Sequence, residues 1–144
     1  MRIDRVIASL VAIVGAGLLT AAPVRAHHAF AAEFDSNRPV KLKGTIAKVE
    51  WINPHAWIHI DVRNEEGQVE RWMLELGGPG PLTRRGIGKN HLQPGTEISA
   101  EGYLAKGVKH RANARLLMYG NGKELFVGSS GTGAPLDGRD ATER

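Results

Sequence analysis

The residues with the widest range of chemistry lie in one short segment, Trp51 to Asp61. From Trp51 onward every second side chain is aromatic, amide, imidazole or carboxylate, and the residues between them are apolar. Such alternation is typical of a strand with one face toward a core, because successive strand side chains point to opposite faces. The sequence therefore predicts a ligand-binding face composed of Trp51, Asn53, His55, Trp57, His59 and Asp61.

Two of these residues, His55 and His59, suggest metal binding, since imidazole is the commonest metal ligand. On a helix their i and i+4 positions would share one face, which is the spacing of paired metal ligands. In a strand they would lie about 13 Å apart, at roughly 3.3 Å per residue. The alternation and the neighbouring β-branched residues favour the strand. A metal site would then need partners from elsewhere, for which the candidates are His27, His28, Asp61 and Glu50.

His27 and His28 form a second arrangement of histidines, directly after a predicted cleavage site. A new terminal amine beside two imidazoles would suit Cu(II) or Zn(II), and tetragonal nitrogen sites favour copper. The alternative is that the two residues are merely tolerated in a mobile arm. The predicted metal ligands are His27, His28 and His55, with copper before zinc.

The tryptophans allow a different ligand. Trp57 opposes the apolar face, so its ring could stack on a carbohydrate or a planar organic molecule, with Asn53 and His55 supplying hydrogen bonds. The alternative for Trp51, Trp57 and Trp72 is burial against the core, which is the usual place for this side chain.

Little in the chain indicates an enzyme. The absence of Cys excludes disulfides, thiolate metal sites and Cys nucleophiles. The run Gly77 to Gly80 lacks the Lys-Ser or Lys-Thr ending of a P-loop. The enzymatic alternative is His55 as a general base, oriented by Asp61 or Glu50, but we expect a non-catalytic binding module.

Residues Met1 to Ala26 have the pattern of an export signal: basic residues, then an apolar run from Val6 to Leu19, then small residues before Ala26. The run is shorter than the roughly 20 residues that span a bilayer. We therefore expect export to the periplasm and cleavage after Ala26, with no membrane insertion afterwards.

The leader carries three Arg and one Asp, so cleavage lowers the formal charge from +4 to +2. An exported chain of low charge is not expected to bind nucleic acid.

Residues 27–128 are expected to form one β-rich domain, followed by a disordered tail, 129–144, with little to bury. The expected strands are 40–51, with a bulge near Gly44 to Ala47, 56–63, 69–76, 96–104, 112–119 and 123–127. A short helix is expected from Pro81 to Gly86, between the third and fourth strands. These elements predict an all-β fold, a small OB-like barrel of five to six antiparallel strands that binds ligands on its second and third strands. The alternative is another small antiparallel barrel or sandwich.

Four segments resemble a family of small exported bacterial proteins that is classed as a domain of unknown function: His27 to Asp35, Val49 to Ile58, Leu82 to Gly86 and Leu92 to Gly95. The second contains the family's Trp-x-Asn-Pro-His motif, and the resemblance extends to about Pro135. It implies a periplasmic protein and supplies no activity. One departure is Gly77 to Pro81, which is richer in Gly and Pro than the family pattern.

The leading prediction is a periplasmic, non-catalytic module that binds a small ligand, with a transition metal as the most concrete one. The first alternative is a carbohydrate or planar organic ligand on the Trp and His face. The second is an accessory domain that docks another exported protein through its strand edges or exposed aromatic face.

Overall fold

Six β-strands and three short helical segments make up the part of the chain that the computed structural model describes, residues 30–128. Residues 30–33 are helical, and the remaining elements are β1 (Phe34–Glu50), β2 (Trp57–Arg63), β3 (Val69–Glu75), α1 (Pro79–Arg84), a 3-10 turn (Lys89–His91), β4 (Glu97–Ala105), β5 (Arg111–Tyr119) and β6 (Glu124–Phe126). Within this range no helix has the length and apolar character needed to cross a membrane. The leader, His27, His28 and the 129–144 tail lie outside the described residues.

The strands form one sheet in the order β3-β2-β1-β4-β5-β6, with antiparallel neighbours throughout. A further pairing joins β3 to β5 in parallel, from Met73 opposite Arg111 to Glu75 opposite Asn113. The prediction of an all-β fold is confirmed. Strand boundaries agree within a residue or two except at β1, which begins at Phe34 rather than Val40, and α1 begins at Pro79 rather than Pro81.

The first strand is long because it pairs on both sides, with β2 through its second half and with β4 through its first. Its register shifts between Ile46 and Lys48, at the end of the segment where the sequence predicts a bulge. A side chain on Gly44 would place its Cβ 2.5 Å from the carbonyl oxygen of Asp61. The missing side chain therefore lets β1 and β2 approach each other at this bend.

The alternation in β2 separates a buried face from a partly exposed one. Ala56, Ile58 and Ile60 are fully buried, whereas the intervening side chains are half-buried on the opposite face. Ile52 breaks the pattern and is 52% exposed, because it lies in the loop between β1 and β2. The apolar side of β2 packs in a core with residues of every other long strand, including Ile46, Leu74, Leu76, Ile98, Ala112 and Leu117.

Candidate functional site

The loop between β1 and β2 is held against the end of β3 by backbone hydrogen bonds. The Ala56 N–H donates to the Gly77 carbonyl at 3.1 Å, and the Leu76 N–H donates to the Ala56 carbonyl at 2.9 Å. A Cβ on Gly78 would lie 2.5 Å from the Pro54 carbonyl oxygen. The Gly-rich run therefore gives the Asn-Pro loop room to pack, and this places His55 beside the last residue of β3.

That residue is Glu75, a carboxylate that is absent from the site residues predicted from the sequence. His55 Nδ1 lies 3.1 Å from Glu75 Oε1, and the Glu75 side chain is only 6% exposed. The pKa of Glu75 is raised to about 7, chiefly by burial; the nearby Glu33 carboxylate also raises this pKa, and Arg111 partly offsets the rise. A side chain between Leu74 and Leu76 would point away from the core in a strand, so the pattern alone indicated an exposed acid.

Arg111, at the start of β5, connects Glu75 with the residues before β1. Its Nη2 atom lies 2.8 Å from Glu33 Oε2 and 3.9 Å from Glu75 Oε2. Its guanidinium carbon lies 4.9 Å from the centre of the Trp57 ring, a cation–π distance. Arg111 therefore covers one face of Trp57 and leaves less room there for a stacked ligand.

Residues 30–34 pack against β4, next to Arg111. Phe30 and Phe34 are both buried, and the Phe30 ring lies 5.8 Å from that of Tyr103. The Lys106 N–H donates to the Glu33 carbonyl at 2.8 Å, and Lys106 Nζ donates to the carbonyl of Ala31. The start of the described chain is thus packed and hydrogen-bonded onto the sheet, directly after the position of His28.

Asn113 lies beside Glu75 in the parallel pairing of β3 with β5 and is 1% exposed. Among the described residues, neither its Oδ1 nor its Nδ2 has a hydrogen-bond partner, and the buried Nε of Arg111 also has none. Buried polar atoms nearly always pair with protein or ordered water. We refer to Glu33, His55, Trp57, Glu75, Arg111 and Asn113 as the Glu75 cluster.

The other residues of the predicted face lie apart from this cluster. His59 shares a hydrogen bond of 2.9 Å with Glu50, whose pKa is lowered by hydrogen bonds from Lys48 and His59. Arg71 donates to both carboxylate oxygens of Asp61 and lowers its pKa. Both acids are therefore engaged by side chains other than His55.

The remaining aromatic and amide candidates have different surroundings. Trp51 and Trp72 are half-buried and pack against the main core, as the alternative interpretation of these rings predicted. Asn53 is exposed in the loop before His55. Of the six residues predicted to form a face, the structure brings only His55 and Trp57 into the Glu75 cluster.

The described residues do not contain a complete metal site. Within 30–128, no group of three or more His, Cys, Asp or Glu side chains is arranged to hold a metal ion. The Nδ1 atom of His55 contacts the Glu75 carboxylate, and the His55 side chain is 34% exposed. The other predicted ligands, His27 and His28, lie outside the described residues.

A family model described as a family of unknown function, DUF6152, matches residues 16–113. The matched range contains every residue of the Glu75 cluster and the Trp-x-Asn-Pro-His motif. No curated protein matches the chain, and no solved structure matches it.

Proposed function

The chain belongs to this family of unknown function, and we propose that it is a periplasmic, non-catalytic module that binds a transition metal, copper before zinc, through His55. The observation that supports this role is the 3.1 Å contact between His55 Nδ1 and Glu75. A metal-ligating histidine usually directs its other ring nitrogen to a carboxylate, which fixes the tautomer and the ring orientation. Glu75 would have this orienting role, and Nε2 of His55 would be the metal ligand.

The remaining ligands in this proposal are His27, His28 and the amine of the cleaved chain. Support comes from the packing of Phe30 and from the ion pair between Glu33 and Arg111, which fix the start of the described chain to the cluster. His28 precedes Phe30 by two residues in the chain. Imidazole and amine nitrogens form the kind of donor set that Cu(II) prefers.

The same proposal includes an OB-type barrel as the framework of the site. The pairings run from β1 through β2, β3, β5 and β4 back to β1, with the short helix after β3. A five-stranded Greek-key barrel of this kind uses the strands and loops around β2 and β3 for binding. His55 and Glu75 lie at the ends of these two strands. The alternatives of a planar ligand and of a docked protein remain predictions, and the Arg111 guanidinium over Trp57 disfavours the first.

The test is titration of the cleaved, metal-free chain with Cu(II) by calorimetry, together with electron paramagnetic resonance to count nitrogen ligands. We expect His55→Ala to weaken binding strongly, and Glu75→Gln to weaken it by about 10–100-fold, as is typical for a carboxylate that orients a ligand. His59→Ala is the matched control, because His59 also contacts a glutamate but lies outside the Glu75 cluster. It should bind copper as the unchanged protein does.

Replacing His27 and His28 together separates the two halves of the site. If the double variant loses binding while His55→Ala retains it, the site belongs to the N-terminus alone and the proposed role of His55 is wrong. If the unchanged chain itself binds copper with a dissociation constant no tighter than millimolar, the metal proposal is wrong altogether. Circular dichroism of each variant checks that the sheet is intact.

A further inference from the structure

We propose a second binding site, for a small carboxylate with a planar apolar body, in a cleft beside Trp72. The cleft has a volume of about 430 Å³ and lies against the loop that connects β4 to β5. Its walls include Arg38, Trp72, Val108, Lys109 and His110. None of these residues belongs to the Glu75 cluster, although His110 directly precedes Arg111 in the chain. The volume falls within the range of ordinary small-molecule sites, roughly 300–1,000 Å³.

The charge of the cleft favours an anion. Arg38 and Lys109 are exposed, and neither has an ionic partner among residues 30–128. No carboxylate belongs to the described lining. Glu70, which lies 3.4 Å from His110, is already engaged by a hydrogen bond from Asn64 at 3.1 Å. Arg38 and Lys109 therefore bring two positive charges to the cleft lining, with one carboxylate, Glu70, just outside it, and this balance suits a carboxylate ligand.

The shape of the walls favours a planar body. The Trp72 and His110 rings lie 5.1 Å apart and are inclined by 45°. Val108 adds an apolar side chain that is 50% exposed. The Trp72 Nε1 is buried and has no acceptor among the described residues. Because this atom is buried, Trp72 contributes its ring and not its N–H group to the cleft.

The connecting loop adds an independent reason to assign a role to this cleft. Its backbone enters the left-handed region at Gly107, with φ of 69°, and at His110, with φ of 54°. Glycine adopts this conformation freely, but histidine does so at a cost. The Met73 N–H donates to the His110 carbonyl at 2.8 Å and holds the residue in place. A non-glycine residue kept in this region is typical of binding and catalytic loops.

The test is calorimetric titration of the cleaved chain with sodium 2-naphthoate in the presence of a metal chelator, with 2-naphthamide as the neutral analogue. We expect saturable binding of the carboxylate and little binding of the amide. Arg38→Gln and Lys109→Gln should each weaken binding about tenfold, which corresponds to one charge-assisted hydrogen bond. Trp72→Ala removes the larger part of the aromatic wall and should also weaken binding.

Arg63→Gln is the control, since it removes the same charge from an exposed arginine that bonds the Gly67 carbonyl outside the cleft. It should leave the affinity unchanged. Three results would overturn the proposal: no saturable heat with 2-naphthoate, equal affinity for the amide, or equal losses in Arg63→Gln and Arg38→Gln. The chelator removes copper from the experiment, so none of these results bears on the metal site.

Discussion

Replacement of Glu75 by Gln should make the stability of the protein less dependent on pH. The side chain is 6% exposed and lies at the end of β3, beside the buried Asn113. Gln has the same shape and cannot ionise, so the substitution removes the charge while it preserves the packing. Arg111 keeps its closer carboxylate partner, Glu33, at 2.8 Å.

The size of the effect follows from the pKa of Glu75, which rises from its ordinary value of 4.5 to about 7 on folding. Each pKa unit corresponds to 1.36 kcal/mol, so the ionised carboxylate costs the folded state about 3 kcal/mol. Between pH 4.5 and 7 the unfolded chain binds fewer protons at this site than the folded one, so stability falls as the pH rises. The stability that protonated Glu75 provides to the folded state, relative to ionised Glu75, is fully present below pH 4.5 and is lost above pH 7.

The measurement is urea unfolding of the metal-free, cleaved chain across this pH range. At pH below 4.5 the unchanged protein and Glu75→Gln should have similar free energies of unfolding, and above pH 7 the variant should be more stable by about 3 kcal/mol. Glu50→Gln is the control of opposite sign, because hydrogen bonds from Lys48 and His59 lower the pKa of Glu50. Ionised Glu50 stabilises the folded state above pH 4.5, and this stabilisation disappears as the pH falls below that value. Identical pH profiles for Glu75→Gln and the unchanged protein would refute the reasoning.

Three further predictions concern the loop, the core and the leader. Gly78→Ala should lower the free energy of unfolding by about 1–3 kcal/mol, since its Cβ would meet a backbone carbonyl oxygen at 2.5 Å. Gly80→Ala is the control, because the nearest contact of its Cβ would be a flexible side chain at 3.6 Å. In thermal denaturation it should be neutral or stabilising. Ile58→Ala should lower the free energy of unfolding in urea by about 2–5 kcal/mol. Ile52→Ala, at an exposed position, should change it by no more than about 0.5 kcal/mol. Equal losses in the two variants would contradict the assigned buried and exposed positions. Intact mass spectrometry of a periplasmic fraction should find a chain that begins at His27, and a retained leader would contradict the export prediction.

The local pattern of the sequence was sufficient for most of the secondary structure. Alternation through Ala56, Ile58 and Ile60 predicted which face of β2 is buried, and all three are fully buried. Gly44 to Ala47 predicted the bulge, and the register shift follows Ile46. These features depend on neighbours along one strand, so a period of two and a glycine are enough to reveal them.

The composition of the candidate site could be predicted only in part. His55 was identified from its motif, but its partner was expected to be Asp61 or Glu50, and each of these acids has another partner. Glu75 has the sequence context of an ordinary outward-facing strand residue. Its burial depends on tertiary contacts, and the nearby ion pair between Glu33 and Arg111 joins positions 78 residues apart.

The sequence by itself determined the all-β class, the approximate strand boundaries and the buried side of β2, because these depend on residue type and short-range spacing. The tertiary structure decided which charges meet. The parallel pairing of β3 with β5 places Glu75 beside Asn113, and the close approach at Gly77 and Gly78 brings His55 to Glu75. Contacts between distant segments depend on strand register and on which face of the sheet is covered. Alternation along one strand specifies neither the register nor the covered face.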